Sequence, residues 1–214
     1  MQALTRLFER HGKSVQLAAD DVIFSRGTEL RQVFRLNSGM VMLHSSSFAG
    51  REVGFNILQA GELFGIVPAL QASVAGVDAT ALSACELLAI ERESFTEALL
   101  ADAALMQEVL HIVVARLALR TKQAEELALY AVRGRLARYV ISLAHQQNGR
   151  VHARARIRLA FSQKIMAAMA GVSRETLNRQ FRTWIEADII ALDGKELLIL
   201  KPDELMAFAG ASHD

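Results

Sequence analysis

Short apolar runs alternate with glycine-bearing turns over residues 22–90. Runs such as VIFSRG, VFRLNSG and TALSACELLAI recur at roughly ten-residue intervals, the spacing typical of a compact antiparallel barrel or sandwich. The glycines that mark the turns are Gly27, Gly39, Gly50 and Gly61. The pattern predicts a mostly β domain over residues 1–93, whose first strand begins at Val22 after one helix-like segment.

The hydrophobic period changes from residue 94 onward. Residues 94–129 contain no Gly or Pro, and apolar side chains recur at the a and d positions of a heptad, with Arg120 in the one polar slot. These positions are Met106, Leu110, Val113, Leu117, Ala124 and Leu127. A helix over residues 94–130 would be about 45 Å long, more than one small domain covers. Pairing with a second copy in a homodimer is the economical interpretation, and burial of the helix against its own barrel is the alternative.

Residues 131–214 have the pattern of a small helical domain that ends in a hairpin. Residues 132–145 predict an amphipathic helix that ends at Asn148 and Gly149. Ser162 and Ser173 can each cap a further helix, and residues 189–192 and 196–200 flank an Asp193-Gly194 turn suited to a tight β-hairpin. Helix, turn, helix and hairpin is the order of a winged helix-turn-helix, so we expect an α+β protein.

Charge divides the chain. Residues 1–130 hold 11 basic and 15 acidic side chains, whereas residues 131–214 hold 13 and 8, although the net charge of the whole is only +1. A basic C-terminal part favours an anionic partner, most simply double-stranded DNA, against the alternative of a solvated arginine-rich surface.

The composition of the chain excludes several kinds of covalent and metal site and several classes of protein. The chain is 52% hydrophobic, and Cys85 is its only cysteine, so an intramolecular disulfide, a four-cysteine zinc site and an iron–sulfur cluster are excluded. We found neither a signal-peptide pattern nor an apolar run of about 20 residues, which predicts a cytoplasmic protein without a membrane partner. Because no catalytic motif is present, an enzyme is not expected.

The most informative segment is residues 161–185, FSQKIMAAMAGVSRETLNRQFRTWI. Two short helices joined at Ala-Gly-Val need small side chains where they cross. The second helix would expose Arg174, Glu175 and Arg179 in its first turns. Arginine can bridge guanine O6 and N7, and glutamate can accept from cytosine N4, so this helix suits a major groove. An acidic side chain facing a polyanion is better explained as a base reader than as a phosphate contact, which favours that role for Glu175.

GVSRETLNRQF, together with SQKIMAAMA and VRGRLARYVISLA, resembles the DNA-binding domain of the cyclic-AMP receptor protein / fumarate-nitrate regulator (CRP/FNR) superfamily. Upstream, IFSRG, FRLNSGMVML, GELFG and ACELLAI resemble that family's sensory barrel, a cyclic-nucleotide-binding-type double-stranded β-helix or jelly roll. The resemblance implies a homodimeric transcription regulator on a palindromic operator. It also implies RNA polymerase as a partner if the protein activates transcription. By the same resemblance, Arg174, Glu175 and Arg179 would read base edges of a half-site. The residues that would hold DNA phosphates are Ser162, Gln163, Ser173, Thr176 and Lys195.

The effector is less well specified. Members that bind cyclic AMP use a Gly-Glu pair and a following Arg-Ser pair; this chain keeps Gly61 and Glu62 but has Ala75 and Gly76 at the second pair, with no Arg or Lys between Arg51 and Arg92. The helix positions that resemble the family's adenine contacts are Arg120 and Thr121. Cyclic AMP in the usual mode is therefore not expected. Haem stays open through His11, His44 or His111.

One competing class also stays open at this point. A cyclic-nucleotide-type ligand-binding module could serve a larger signalling assembly, with its helix-turn-helix contacting protein rather than DNA. The operator sequence and the direction of regulation are not fixed by the sequence.

Overall fold

The computed structural model describes residues 2–46 and 52–210. The chain divides into two compact units, one of residues 1–49 and 54–120 and the other of residues 50–53 and 121–214. The predicted α+β class, with a barrel followed by a winged helix-turn-helix, is confirmed.

The first unit consists of two four-stranded sheets, with strand orders β1-β8-β3-β6 and β2-β7-β4-β5. The elements are α1 (Gln2–His11), β1 (Lys13–Leu17), β2 (Val22–Phe24), β3 (Gln32–Ser38), β4 (Val41–Ser46), β5 (Glu52–Leu58), β6 (Leu63–Phe64), α2 (Ile66–Gln71), β7 (Asp78–Ala81), β8 (Cys85–Glu91), α3 (Arg92–Ala101) and the start of α4 (Ala103–Leu129). The expectation that the first strand begins at Val22 is wrong. Strand β1 precedes Val22 in the chain and pairs antiparallel with β8. Its alternation of half-buried and exposed residues is short and polar, which hid it in the sequence.

Two apolar clusters stabilise this unit. One contains the stacked rings of Phe34 and Phe64, 5.1 Å apart, together with the small residues Ala79 and Ala81 of β7. The other joins the helices to the outside of the first sheet, and includes Phe8 of α1 against Phe95 of α3, 6.2 Å apart. Leu105 and Val109 bury the first turns of α4 in the same cluster.

The structure breaks the helix that the sequence predicts as continuous from residue 94. α3 and α4 are bent by 114° at Asp102, which has an extended backbone (φ −136°, ψ 108°). The Asp102 carboxylate accepts a hydrogen bond from the backbone N–H of Ala104 at 2.8 Å, and so caps α4. Aspartate favours such caps over helix interiors, and this local preference overrides the absence of Gly and Pro.

Among the described helices, none alone has both the length and the apolar character of a membrane span. Only the bent pair α3 and α4 has them when the two helices are counted together.

The second unit contains the end of α4, α5 (Val132–Asn148), β9 (Arg156–Arg158), α6 (Gln163–Met169), α7 (Arg174–Glu186), β10 (Ile190–Asp193), β11 (Glu196–Ile199) and α8 (Pro202–Gly210). The strands form one antiparallel sheet in the order β10-β11-β9. Its core is built around Trp184, 1% exposed, whose ring stacks with that of Phe181 at 5.9 Å and with that of Phe208 at 6.1 Å.

The wing hairpin differs from its predicted form by one residue. Asp193 pairs with Glu196, so the two turn residues are Gly194 and Lys195 rather than Asp193 and Gly194. Gly194 has φ +59°, the left-handed conformation that glycine adopts without a Cβ penalty. The register therefore places Lys195 at the tip of the wing.

Candidate nucleic-acid interface

Two serines begin the helices of the helix-turn-helix, as their positions predict. Ser173 Oγ accepts from the backbone N–H of Thr176 at 3.1 Å and lies 3.0 Å from the Thr176 hydroxyl. Ser162 Oγ accepts from the N–H of Ile165 at the longer distance of 3.4 Å. Each hydroxyl satisfies one of the N–H groups that a helix start leaves without an intrahelical partner.

The turn between α6 and α7 depends on Gly171. Its φ of +66° is unfavourable for residues with a Cβ, and a Cβ placed there would lie 3.0 Å from Leu127 Cδ2. On either side, Ala167 of α6 and Leu177 of α7 are buried in the same core. The inner faces of both helices are thus fixed, and the outer face of α7 is set by their packing.

Arg174, Glu175 and Arg179 are exposed on that outer face. The pKa of Glu175 is held below its usual range by hydrogen bonding at the helix start, first to its own backbone N–H and then to the Ser173 hydroxyl, with a further contribution from the Arg174 charge. An ionised carboxylate is only an acceptor, which is the role required for a cytosine amino group. The three predicted base-reading residues are therefore all accessible: Arg174 and Glu175 lie in the first turn of α7, and Arg179 lies one turn later.

The predicted phosphate contacts fall into two groups. Ser173 and Thr176 lie at the start of α7, where they bond each other. Ser162, Gln163 and Lys195 line one groove of about 330 Å³ between the start of α6 and the wing. The backbone N–H of Leu159 donates to Lys195 O at 2.7 Å and fixes the wing tip beside α6.

The predicted dimer seam of α4 is largely exposed in the single chain. Met106 is 39% exposed, Leu110 57% and Leu117 65%. In the second unit, Ala124 and Leu127 are also exposed. The exception is Val113, which packs against the apolar cluster on the outside of the first sheet, whereas its neighbour Val114 is exposed. Within the first unit, Met106, Leu110, Val114 and Leu117 thus form an exposed apolar stripe on α4.

The barrel residues predicted for the effector lie at two turns. Gly61 adopts φ +93°, and Glu62 Oε2 accepts from the backbone N–H of Gln59 at 2.8 Å, so this carboxylate bonds its own turn. Ala75 is 1% exposed in the barrel core, and Gly76 beside it is exposed. Thr121 is exposed and falls in the second unit.

Helix α4 brings two arginines to the barrel. Arg120 donates to Phe55 O and its guanidinium lies 5.2 Å from the centre of the Phe55 ring, so it faces β5 rather than the polar slot of the seam. Arg116, which sequence reasoning missed, donates to Leu63 O directly after Glu62. Burial lowers the pKa of the Arg116 guanidinium, and the Glu62 charge opposes this. The signal was present, since Arg116 and Arg120 continue the barrel-facing row of Leu105, Val109 and Ile112.

The histidines considered for haem lie on three different elements. His11 and His111 are exposed, on α1 and α4, and His44 on β4 is half-buried, with its Nε2 2.9 Å from Thr80 Oγ1. Across residues 2–46 and 52–210, no three His, Cys, Asp or Glu side chains are grouped as metal ligands. Cys85 is buried, and its thiol contacts Met40 O at 3.2 Å.

Both units match known protein families. A model of the cyclic nucleotide-binding domain matches residues 14–102, and a model of the Crp-like helix-turn-helix domain matches residues 134–208. Among known proteins, the cyclic AMP receptor protein of Thermus thermophilus is 32% identical over 174 residues, which are 79% of this chain and 76% of that protein. The transcriptional activator protein Anr of Pseudomonas protegens is 26% identical over 214 residues, covering 99% of this chain and 85% of that one.

Solved structures show the same fold. The c-di-GMP responsive global regulator CLP of Xanthomonas campestris superposes with a TM-score of 0.79 at 21% identity, covering 93% of this chain and 98% of that one. A CooA mutant from Carboxydothermus hydrogenoformans superposes with a TM-score of 0.77 at 18% identity, covering 96% and 90%. With the two domain matches and the relative above 30% identity, these comparisons show that the chain belongs to the CRP/FNR family of transcription regulators.

Proposed function

We propose that this protein is a sequence-specific regulator that binds a palindromic DNA operator as a homodimer, and that it does not use cyclic AMP in the usual mode. The observation that supports DNA binding best is the first turn of α7. There Arg174 and Glu175 are exposed, while Leu177 is fully buried and holds the helix against the domain core.

The exposed groups have complementary tasks. Arg174 and Arg179 read guanine by bidentate donation, and the ionised Glu175 accepts from a cytosine amino group. Each such contact contributes about 1–3 kcal/mol of discrimination against the wrong base. Ser162, Gln163, Ser173, Thr176 and Lys195 supply hydrogen bonds and charge to phosphates, which position the helix but carry no sequence information.

Homodimer formation is supported by the exposed stripe on α4. Met106, Leu110 and Leu117 recur at helical spacing and would leave water on pairing with a second copy. Two recognition helices related by a twofold axis read half-sites about 34 Å apart, one turn of DNA.

The proposal for the effector rests on the barrel turns. Ala75 offers no donor to a cyclic phosphate, and the Glu62 carboxylate already accepts a hydrogen bond within its own turn. At Ala75 and Gly76 a cyclic phosphate would meet no cationic or hydroxyl side chain from its own turn, and burying it without one would be costly. The Arg116 guanidinium lies at the other turn, where it already donates to Leu63 O. Cyclic AMP is nevertheless the compound to add in the test, because the similar Thermus thermophilus protein is a cyclic AMP receptor protein.

Fluorescence anisotropy tests the proposal. The protein is titrated onto a palindromic duplex with TGTGA-like half-sites and onto a scrambled duplex, with and without cyclic AMP. We expect preferential binding to the palindrome without cyclic AMP. Arg174→Ala should weaken that preference by about 1–3 kcal/mol, roughly 5-fold to 150-fold per half-site. Arg10→Ala, which removes an exposed arginine of α1, is the matched control.

Three results would contradict the proposal. Equal binding to both duplexes in both states would contradict sequence-specific recognition by this helix. Palindrome binding that Arg174→Ala leaves unchanged would contradict the assigned base contact and favour a helix-turn-helix that binds protein. Binding only after cyclic AMP is added would contradict the effector interpretation of Ala75 and Gly76.

A further inference from the structure

A row of arginines lies outside the groups assigned above. Residues 150–158, RVHARARIR, carry four arginines and no acidic residue. In β9, Ile157 is buried while Arg156 and Arg158 are exposed, so these two arginines project from the same face of the strand. Arg154 is exposed in the turn before the strand, where its backbone is left-handed (φ +63°). We call Arg150, Arg154, Arg156 and Arg158 the arginine row.

Most of the positive charge in this row is available. Arg156 pairs with Glu196 at 2.9 Å. Within residues 2–46 and 52–210, the guanidinium groups of Arg150, Arg154 and Arg158 have no carboxylate within ion-pairing distance. Like charges gathered without counter-charges destabilise a surface, so an arrangement of this kind favours an anionic partner.

The backbone that carries the row is held firmly. Gln147 bonds Arg158 as a strand would, accepting from its N–H at 2.8 Å and donating to its carbonyl at 3.0 Å. Asn148 donates to Arg156 O at 3.0 Å, and Arg154 N–H donates to Ile199 O at 2.7 Å. The outer edge of β9 is therefore occupied by side-chain amides, which leaves recognition to the guanidinium groups rather than to addition of a partner strand.

The row also begins at the groove described above. Leu159 follows β9 and bonds Lys195 at the wing tip, and Ser162 begins α6 three residues later. From there, β9 extends from Arg158 to Arg156, about 7 Å at 3.3 Å per residue, and the turn that carries Arg154 follows at its other end. The strand alone corresponds to about two phosphates of one DNA strand at 3.4 Å each.

We propose that the arginine row is a second nucleic-acid contact, which binds the phosphates of DNA flanking the operator. This inference rests on the proposed function and extends it. Continuity with the wing favours DNA over an acidic protein, because the same polyanion that meets Lys195 continues past the end of the half-site. Contacts of this type strengthen binding without reading sequence.

Two duplexes with the same palindrome test this inference. One is a core duplex of about two helical turns, and the other carries about one further turn of unrelated sequence on each side. The test variant is Arg150→Gln/Arg154→Gln/Arg158→Gln. The control, Arg10→Gln/Lys13→Gln/Arg26→Gln, removes three exposed positive charges from the first unit. Anisotropy is measured from 50 to 200 mM salt, and urea unfolding verifies that both variants fold.

We expect the wild type and the control to bind the longer duplex more tightly than the core duplex, and the test variant to lose most of that gain. Each phosphate that the protein no longer neutralises makes the slope of log K against log salt shallower by about 0.9. Both subunits carry the changes, so on the longer duplex the slope of the test variant should be shallower than that of the wild type by at least about 2. Its preference for the palindrome over a scrambled core should be unchanged.

A wild-type protein that gains nothing from the flanks would overturn this inference, as would a test variant that keeps the gain and the slope. A test variant with normal DNA binding that fails to bind purified RNA polymerase would assign the row to a protein partner and would overturn it equally. A wild-type protein that shows no preference for the palindrome but still binds the longer duplex more tightly would contradict the proposed function and leave the row as a DNA contact.

Discussion

The cap of the recognition helix joins stability to DNA binding in one side chain. Ser173 Oγ accepts from Thr176 N–H at 3.1 Å, and α7 carries Leu177 and Trp184 into the core. Removing such a cap costs about 1 kcal/mol, within a range of about 0.5–2. We expect Ser173→Ala to lower the free energy of unfolding by about 1 kcal/mol. Ser162→Ala should cost less, since its hydrogen bond is 3.4 Å long.

Ser173→Asp separates the two roles of this residue. Aspartate is also a good cap, and its charge at a helix N-terminus contributes about 0.3–1 kcal/mol, so stability should be equal to that of the wild type or higher. The same charge would face a DNA phosphate, and operator affinity should decrease by about tenfold or more. Urea unfolding followed by fluorescence of Trp184, the only tryptophan, measures the first effect, and anisotropy measures the second.

The pair of variants can refute each step. If Ser173→Ala is as stable as the wild type, the cap contributes nothing and the reasoning from its hydrogen bond is wrong. If Ser173→Asp binds the operator as tightly as the wild type, Ser173 does not face a phosphate.

Three further predictions concern the core, the seam and pH. Trp184→Ala should lower the free energy of unfolding by about 3–5 kcal/mol, whereas Ile185→Ala, at a 38% exposed position, should cost under about 1; equal losses in urea would contradict the packing. Leu110→Glu should convert the proposed dimer to monomer in sedimentation equilibrium, and Gln107→Glu, at another exposed position of α4, should not; a Leu110→Glu dimer would contradict the seam. Burial raises the pKa of Tyr139 from 10 to about 12, so the stability that its neutral phenol contributes to the fold is complete below pH 10 and is lost as the pH rises to 12. Between pH 8 and pH 11, the free energy of unfolding of the wild type should therefore decrease by about 1 kcal/mol more than that of Tyr139→Phe. Equal decreases in the two proteins would contradict this prediction.

The predictions that succeeded rest on signals confined to a few neighbouring residues. Ser162 and Ser173 predict helix starts because a hydroxyl at that position accepts a hydrogen bond from a nearby backbone N–H, independently of distant residues. Gly171 predicts the turn because few residues with a Cβ tolerate a positive φ. The α+β class and the order of the C-terminal elements followed from such local rules.

The predictions that failed required knowledge of partners distant in the sequence. β1 becomes a strand by pairing with β8, about 70 residues later, and its own pattern is too short to show this. The break at Asp102 combines a local cap with the packing of α3 and α4 against one barrel face, and a count of Gly and Pro detects neither. Arg156 and Arg158 were counted as charge, but the strand that aligns them exists only through β11 and the amides of α5.

The effector region shows the same limit most clearly. A search for a basic residue between Arg51 and Arg92 finds none, yet the barrel turn at Glu62 has a guanidinium beside it, because Arg116 arrives from α4 and donates to Leu63 O. A largely buried guanidinium is costly to leave without a hydrogen-bond partner, so this hydrogen bond holds the helix on the turn. The turn and the helix that carries the exposed apolar stripe are therefore coupled in the single chain, before any effector is bound. A ligand at this turn would act by changing a contact that already exists, and it could shift dimer geometry only as far as it binds one arrangement better than the other.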